Sequence, residues 1–95
     1  MEQLYTFGEA IELLKKGAKI ARLSWNGKGM FIYYVPAASY PIQRNSNKTL
    51  AGVFENDMAP YTAYIAMKTA QDFVTPWTPS QSDVLDEDWV VVSNV

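Results

Sequence analysis

The chain has 95 residues, of which 48% are hydrophobic, so its composition allows one small folded core and excludes two. Its formal net charge of −2 argues against non-specific binding to DNA or RNA, which requires many lysine and arginine contacts to phosphates. There is no cysteine and no histidine, which excludes disulfides, thiolate metal sites and catalysis by a histidine base.

The apolar residues are too dispersed for a membrane protein. No apolar run approaches the roughly 20 residues that cross a bilayer. The beginning of the chain also lacks the basic and then apolar pattern of a secretory leader. We therefore expect a cytoplasmic protein that does not bind membranes.

The first predicted element is an amphipathic helix that begins at Phe7 and ends before Gly17. Thr6 and Glu9 have the spacing of a capping box, in which each side chain accepts a hydrogen bond from the other residue's backbone N–H. Four apolar residues then recur at helical spacing: Phe7, Ala10, Ile11 and Leu14. One face of this helix is expected to pack against a core.

A hairpin is predicted next. Residues 19–22 alternate polar and apolar, residues 26–29 (Asn-Gly-Lys-Gly) indicate a turn, and residues 30–35 are rich in aromatic and β-branched side chains. Residues 37–60 are Asn-rich and bounded by prolines, which predicts an irregular or arm-like excursion. Within it, only residues 49–54 suggest a short strand.

The remaining elements complete a small sheet. Residues 61–68 read as a strand, and residues 73–75 read as its hairpin partner. Ser80 is placed to cap a single helical turn, and residues 89–92 predict a final strand. The predicted class is α+β, a single domain with one N-terminal helix packed on small antiparallel sheet or sheets and a short helical turn before the C-terminal strand.

The acidic residues near the C-terminus do not predict catalysis or metal binding. Asp83, Asp86, Glu87 and Asp88 lie in a turn-rich stretch without the spacing of a glycosidase pair or a hard-metal loop. A structural or solubilising role is the favoured interpretation. We expect no catalytic residue, no metal and no cofactor.

The three tryptophans are the clearest binding candidates, because each stands beside polar or turn residues. An indole ring beside amide, hydroxyl and carboxylate groups can stack on a base and hydrogen-bond its edge. Trp89 leads into an apolar strand, which favours a core position. For Trp25 and Trp77 both interpretations stay open, and Phe7 is either a core anchor or a pocket wall.

Several blocks of the chain resemble the second Thoeris anti-defence family. They are Phe7-Gly8-Glu9-Ala10-Ile11, Lys19-Ile20-Ala21-Arg22 followed by Trp25-Asn26-Gly27-Lys28-Gly29-Met30, Met67-Lys68-Thr69-Ala70, Val74-x-Pro76-Trp77, and Ser80-Gln81-x-Asp83-x-Leu85-x-x-Asp88-Trp89. The resemblance covers both ends of the chain in order. In residues 37–60 we recognise no pattern of the family.

The resemblance implies a phage or prophage protein that sequesters immune signalling nucleotides without degrading them. It implies a homotetramer that holds glycocyclic ADP-ribose, the messenger made by the TIR domain of the Thoeris sensor, in a pocket at a subunit interface. Some relatives also hold cyclic oligonucleotides at a separate site.

The ligand contacts expected within the matched blocks are inferred from side-chain chemistry. Three aromatic residues are expected to stack on or wall the adenine and ribose: Phe7, Trp25 and Trp77. Four polar residues are expected to bond the base edge or the ribose hydroxyls: Asn26, Ser80, Gln81 and Asp83. Arg22 and Lys28 are the candidates for phosphate contacts, although Arg22 has an alternative partner in the acidic C-terminal stretch.

Two other functions stay open from the sequence. One is an enzyme that hydrolyses the messenger with carboxylates alone, and the other is an interaction module that inhibits a host defence protein directly. Recovery of intact ligand argues against the first, and capture of a host protein without any bound small molecule favours the second.

Overall fold

The computed structural model describes residues 3–25, 27–42 and 48–92, and it confirms an α+β fold. Within these ranges the elements are, in chain order, α1 (Phe7–Lys15), β1 (Ile20–Arg22), β2 (Phe31–Val35), β3 (Ala38–Pro41), β4 (Met58–Tyr61), β5 (Tyr64–Lys68), β6 (Val74–Pro76), α2 (Gln81–Leu85) and β7 (Trp89–Val91). Single 3-10 turns occupy Lys48–Leu50 and Glu55–Asp57. None of the described helices is both long enough and apolar enough to span a bilayer.

Helix α1 begins and ends where the sequence predicts. The Thr6 backbone N–H donates to Glu9 Oε1 at 2.8 Å, and the Glu9 N–H donates to Thr6 Oγ1 at 3.2 Å, which confirms the capping box. Gly17 follows the helix with φ +100°, a conformation that glycine adopts without steric cost. Ala10 and Leu14 on this helix are buried, so its apolar face packs against the core as expected.

The main sheet has five antiparallel strands in the order β6-β5-β2-β1-β7. Strand β7 pairs with β1, so that Arg22 lies opposite Trp89 in the register. Tyr5 also bridges to Trp89. The two ends of the chain are therefore brought together beside β1.

Alternation along the strands divides the sheet into two faces. On the face toward α1, Ile32 pairs with Met67 and Tyr34 pairs with Ile65. The core on this face consists of Ala10, Leu14, Ile20, Ile32 and Trp89. Phe31 lies opposite Lys68 and therefore belongs to the other face of the sheet.

The prediction of a strand at residues 49–54 is wrong, because a 3-10 turn and irregular turns lie there instead. Strands β3 and β4 pair with each other as a separate two-stranded sheet, which we call the arm. Tyr61 belongs to β4 and not to the strand predicted at 61–68. In a two-stranded sheet every strand is an edge, so Pro41 and Pro60 are tolerated although each lacks a donor.

Candidate functional site

Four aromatic rings form one cluster between α1, the β1 end and the start of α2. Trp89 is fully buried at its centre, while Phe7, Trp25 and Trp77 are half-buried around it. The ring centroids of Phe7 and Trp25 each lie 5.6 Å from that of Trp89, and the Trp77 centroid lies 6.0 Å from it. The core prediction for Trp89 agrees with this position. The other three rings contribute to the core and also retain some exposed surface.

The rings meet at angles rather than in parallel stacks. Trp25 and Trp77 approach Trp89 edge-on, at 82° and 86° between planes. Such arrangements direct a ring edge at a neighbour's face. Each pair stabilises the folded state by about 0.5–1.5 kcal/mol in addition to the effect of burying apolar area. Phe7 tilts at 49° to Trp89 and lies 6.3 Å from Trp77. The three aromatic residues expected to contact the ligand are therefore neighbours in space.

Arg22 is surrounded by the acidic residues near the C-terminus. Its Nη1 donates to Asp83 Oδ1 at 2.9 Å, its Nη2 to Asp86 Oδ2 at 2.5 Å and its Nε to Asp88 Oδ1 at 2.8 Å. Arg22 is only 8% exposed. A phosphate would have to displace a carboxylate to reach this guanidinium. Arg22 is thus in the alternative arrangement, paired with the acidic stretch, and its guanidinium is not free to bind a phosphate.

These contacts shift the pKa values of the partners. Hydrogen bonding, first to Asp88 and then to Asp83 and Asp86, raises the pKa of Arg22 above its ordinary value against the opposing effect of burial. Burial alone would raise the pKa of Asp83, but hydrogen bonds from Ser80 and Arg22 bring the net pKa below its ordinary value. The pKa of Asp88 is lowered in the same way by Arg22 and Ser24.

Helix α2 begins with a second capping box, in which two of the predicted ligand-contact residues, Ser80 and Asp83, bond each other. The Ser80 backbone N–H donates to Asp83 Oδ2 at 2.8 Å, and the Asp83 N–H donates to Ser80 Oγ at 3.2 Å. Asp83 is also buried, with its other oxygen bound to Arg22. Both carboxylate oxygens of Asp83 are therefore occupied by bonds within the chain, so this side chain is not free to bind a ligand. Gln81 is exposed at the first position of the helix.

A shallow pocket of about 290 Å³ opens beside this helix. Its lining includes Pro79, Ser80 and Gln81 together with Val84 and Leu85. Leu85 is 72% exposed, so the apolar side of this pocket is uncovered within the single chain. The pocket has room for part of a nucleotide, and its polar side carries two of the predicted contact residues.

The turn between β1 and β2 carries the remaining predicted contacts. Asn26 lies outside the described residues. Lys28 is exposed and makes no ion pair with any residue that the structure describes. A Cβ on Gly27 would clash with the side chains of Met30 and Ala70, so the turn packs closely against the end of β5.

A second pocket, of about 400 Å³, lies apart from the aromatic cluster. It is lined partly by Phe31, Tyr33, Lys19 and Lys68, and the Lys19 Nζ stands 5.1 Å from the centre of the Phe31 ring. Lys68 also pairs with the exposed Asp72 at 2.6 Å. Sequence reasoning missed these residues. The signal was present in the alternation of β2, which sends Phe31 and Tyr33 to the face opposite Ile32.

The acidic residues form no metal site in the described part of the chain, where no group of three or more acidic side chains has a geometry that could hold a metal ion. Three of the four C-terminal carboxylates surround a guanidinium instead. The chemistry that the site offers is aromatic stacking, hydrogen bonding from Ser80 and Gln81, and the charge of Lys28.

Comparison with known proteins gives two matches. The model of the family described as the Thoeris anti-defense 2-like domain matches residues 5–92. The chain is also 37% identical over 99 aligned positions to a protein named Thoeris anti-defense 2 from Bacillus phage SP01, with 98% of this chain and 100% of that protein covered. Both matches include the arm as well as the two ends of the chain.

Proposed function

Because the chain belongs to the Thoeris anti-defense 2-like family, we propose that it counters Thoeris immunity by sequestering glycocyclic ADP-ribose without cleaving it. The observation that supports this most is the clustering of Phe7, Trp25 and Trp77, which lie far apart in sequence, around Trp89, whose indole N–H donates to the Asp83 carbonyl of α2. Sequestration requires binding surface and no reacting group.

We propose that the ligand is positioned by aromatic stacking, by hydrogen bonds from α2 and by the charge of Lys28. The exposed parts of the Trp25 and Trp77 rings stack on or wall the adenine and ribose, each stack contributing about 1–3 kcal/mol. Ser80 and Gln81 hydrogen-bond the base edge or ribose hydroxyls from α2. Lys28 and the backbone N–H groups of its turn are the proposed phosphate contacts, and Asn26 stays a predicted contact.

The site is completed by a second copy of the chain, in a homotetramer of the bacterial host's cytoplasm. The pocket beside α2 is shallow, and Val84 and Leu85 at its rim are 44% and 72% exposed. An open pocket with an apolar rim gains enclosure when another subunit covers it. A small domain also gains buried area in this way without disulfides.

Recovery of the ligand tests sequestration against hydrolysis. The protein is incubated with purified glycocyclic ADP-ribose, separated from free ligand, heated, and the released nucleotide is identified by mass spectrometry. We expect the intact cyclic molecule in an amount that matches the protein sites. Linear ADP-ribose products would establish an enzyme instead, and capture of a host defence protein with no nucleotide bound would establish a direct inhibitor.

Substituting the exposed tryptophans tests the pocket. We expect Trp25→Ala and Trp77→Ala each to weaken ligand binding roughly 5- to 150-fold, because each removes one stacking platform. Titration calorimetry on the folded variants measures the effect. Phe73→Ala is the matched control, because Phe73 is 70% exposed and lies outside the cluster. Wild-type affinity in both tryptophan variants would exclude these rings from the pocket.

A second ligand class is proposed for the pocket at Lys19 and Lys68. Two lysines beside Phe31 and Tyr33 combine positive charge with aromatic surface, which suits a cyclic oligonucleotide. Lys19→Glu should weaken binding of cyclic dinucleotides and leave glycocyclic ADP-ribose binding unchanged. Equal losses for both ligands would contradict a separate site.

A further inference from the structure

We propose that Arg22 is a positioning residue for the ligand site, which sets the distance between the Trp25 loop and the start of α2 without touching the ligand. This inference rests on the proposed function, because it concerns the same site. Its basis is that two of the carboxylates on Arg22 also accept from the segments that carry the contact residues, Asp83 from the Ser80 N–H and Asp88 from the Ser24 N–H.

The first connection runs from Arg22 to the beginning of α2. Arg22 Nη1 holds Asp83 Oδ1, while the other oxygen of Asp83 accepts from the Ser80 N–H. Helix α2 has only 5 residues, and so short a helix has little stability of its own. The position of Ser80 and Gln81 therefore depends on what Asp83 is attached to, and its side chain is attached to Arg22.

The second connection runs to the loop that carries Trp25. Arg22 Nε holds Asp88 Oδ1, and Asp88 Oδ2 accepts from the Ser24 N–H at 3.2 Å. The Trp25 N–H donates to the Arg22 carbonyl at 3.2 Å. The backbone before Trp25 is thus fastened both to Arg22 itself and to the carboxylate that its side chain holds.

The third connection runs through the centre of the aromatic cluster. Trp89 Nε1 donates to the Asp83 carbonyl at 2.9 Å, and the Arg22 guanidinium carbon lies 5.9 Å from the centre of the Trp89 ring. The planar guanidinium of Arg22 therefore contacts Asp83, Asp88 and Trp89 and fixes their positions relative to each other. The guanidinium of an arginine spreads its donors in a rigid plane, whereas the three donors of a lysine ammonium radiate from one nitrogen on a flexible stem and cannot reproduce that spacing.

A positioning role is distinct from a contribution to stability. Desolvation offsets much of the attraction in a buried ion pair, so such a pair is weak evidence for stability. The fixed directions of the hydrogen bonds, by contrast, determine the distance between the Trp25 loop and the start of α2. Loss of stability alone leaves the affinity of the folded molecules for the ligand unchanged. Displacement of Trp25 relative to α2 lowers that affinity.

The test compares Arg22→Gln and Arg22→Lys with wild type, using glycocyclic ADP-ribose as the probe. Calorimetry is performed well below each variant's melting temperature, with the binding-competent fraction taken from the stoichiometry. We expect Arg22→Gln to raise Kd about 10- to 100-fold, the size of effect that loss of an orienting partner has at metal sites. We expect Arg22→Lys to raise Kd by a smaller factor. Asp86→Asn is the control, because the Asp86 side chain is 53% exposed and, among the described residues, its carboxylate bonds only Arg22; the Kd of this variant should stay within about 3-fold of wild type.

A lower melting temperature with unchanged Kd in both Arg22 variants would overturn the inference and leave a structural ion pair. If Arg22→Gln does not fold, Arg22→Lys decides the question alone. The indole N–H resonances of Trp25 and Trp77, recorded without ligand, provide a second readout. We expect them to shift in folded Arg22→Lys and to stay in place in Asp86→Asn. Failure of wild type to bind the messenger would refute the proposed function, while these resonances would still test the positioning role.

Discussion

The aromatic cluster and the arm are held in opposite ways. In the cluster, Trp89 is fully buried, its indole N–H is bound, and Arg22 beside it satisfies three carboxylates. In the arm, Tyr40 and Tyr61 are 48% and 46% exposed, and their rings, 5.6 Å apart, form a T-shaped pair with each other. The cluster is stabilised from within the subunit, whereas the arm presents its aromatic surface outward.

This difference separates two requirements of the proposed function. Ligand recognition needs fixed distances between stacking and hydrogen-bonding groups, and a buried, hydrogen-bonded cluster provides them. Assembly needs exposed apolar surface, and two strands alone are marginally stable in water. We therefore expect substitutions in the cluster to act on folding and affinity, and substitutions in the arm to act on assembly.

The largest effect is expected from Trp89→Ala. Removing a fully buried indole from the centre of the cluster should lower the free energy of unfolding by about 3–5 kcal/mol, a large part of the stability of a small domain. Urea denaturation measures the change, with Phe73→Ala as an exposed aromatic control. A loss below about 1 kcal/mol would contradict the central position of Trp89.

An intermediate effect, dependent on pH, is expected from Asp83→Asn. At pH 7 the variant should be about 1–3 kcal/mol less stable than wild type, because a charged hydrogen bond to buried Arg22 is lost. The pKa of Asp83 is lowered in the folded state, so its stabilisation is present above the unfolded-state pKa of about 3.9 and disappears as pH falls through the lower folded-state pKa.

Urea denaturation of wild type and Asp83→Asn at several pH values checks this dependence. The difference in stability between the two proteins should be constant from about pH 7 to 5 and should shrink as pH falls below the unfolded-state pKa of about 3.9 and through the lower folded-state pKa. A difference that is independent of pH would mean that Asp83 does not act through its charge.

The smallest effect on the subunit is expected from Tyr40→Ser combined with Tyr61→Ser in the arm. Because both tyrosines are about half exposed, the free energy of unfolding of the chain should change by less than about 1 kcal/mol. Light scattering at micromolar concentration should nevertheless show loss of the proposed tetramer. A tetramer that persists in the double variant would place the assembly surface elsewhere, and a wild-type monomer would refute assembly itself.

The local elements were predictable from the sequence where the signals are local. The capping box at Thr6, the cap at Ser80 and the aromatic and β-branched composition of β2 each depend on residues only a few positions apart. The arm was not predictable in the same way. Strands β3 and β4 pair across a long connection, and prolines in both conceal their strand character.

The sequence by itself determined the α+β class, the first helix and the resemblance of both ends of the chain to one family. It also named the aromatic residues that meet at the candidate site. Only the tertiary structure decided that Arg22 and Asp83 bind each other, because the choice between a phosphate and a carboxylate depends on which group the fold brings within hydrogen-bond distance. Residues 61 positions apart meet through the pairing of β1 with β7, which no local pattern encodes.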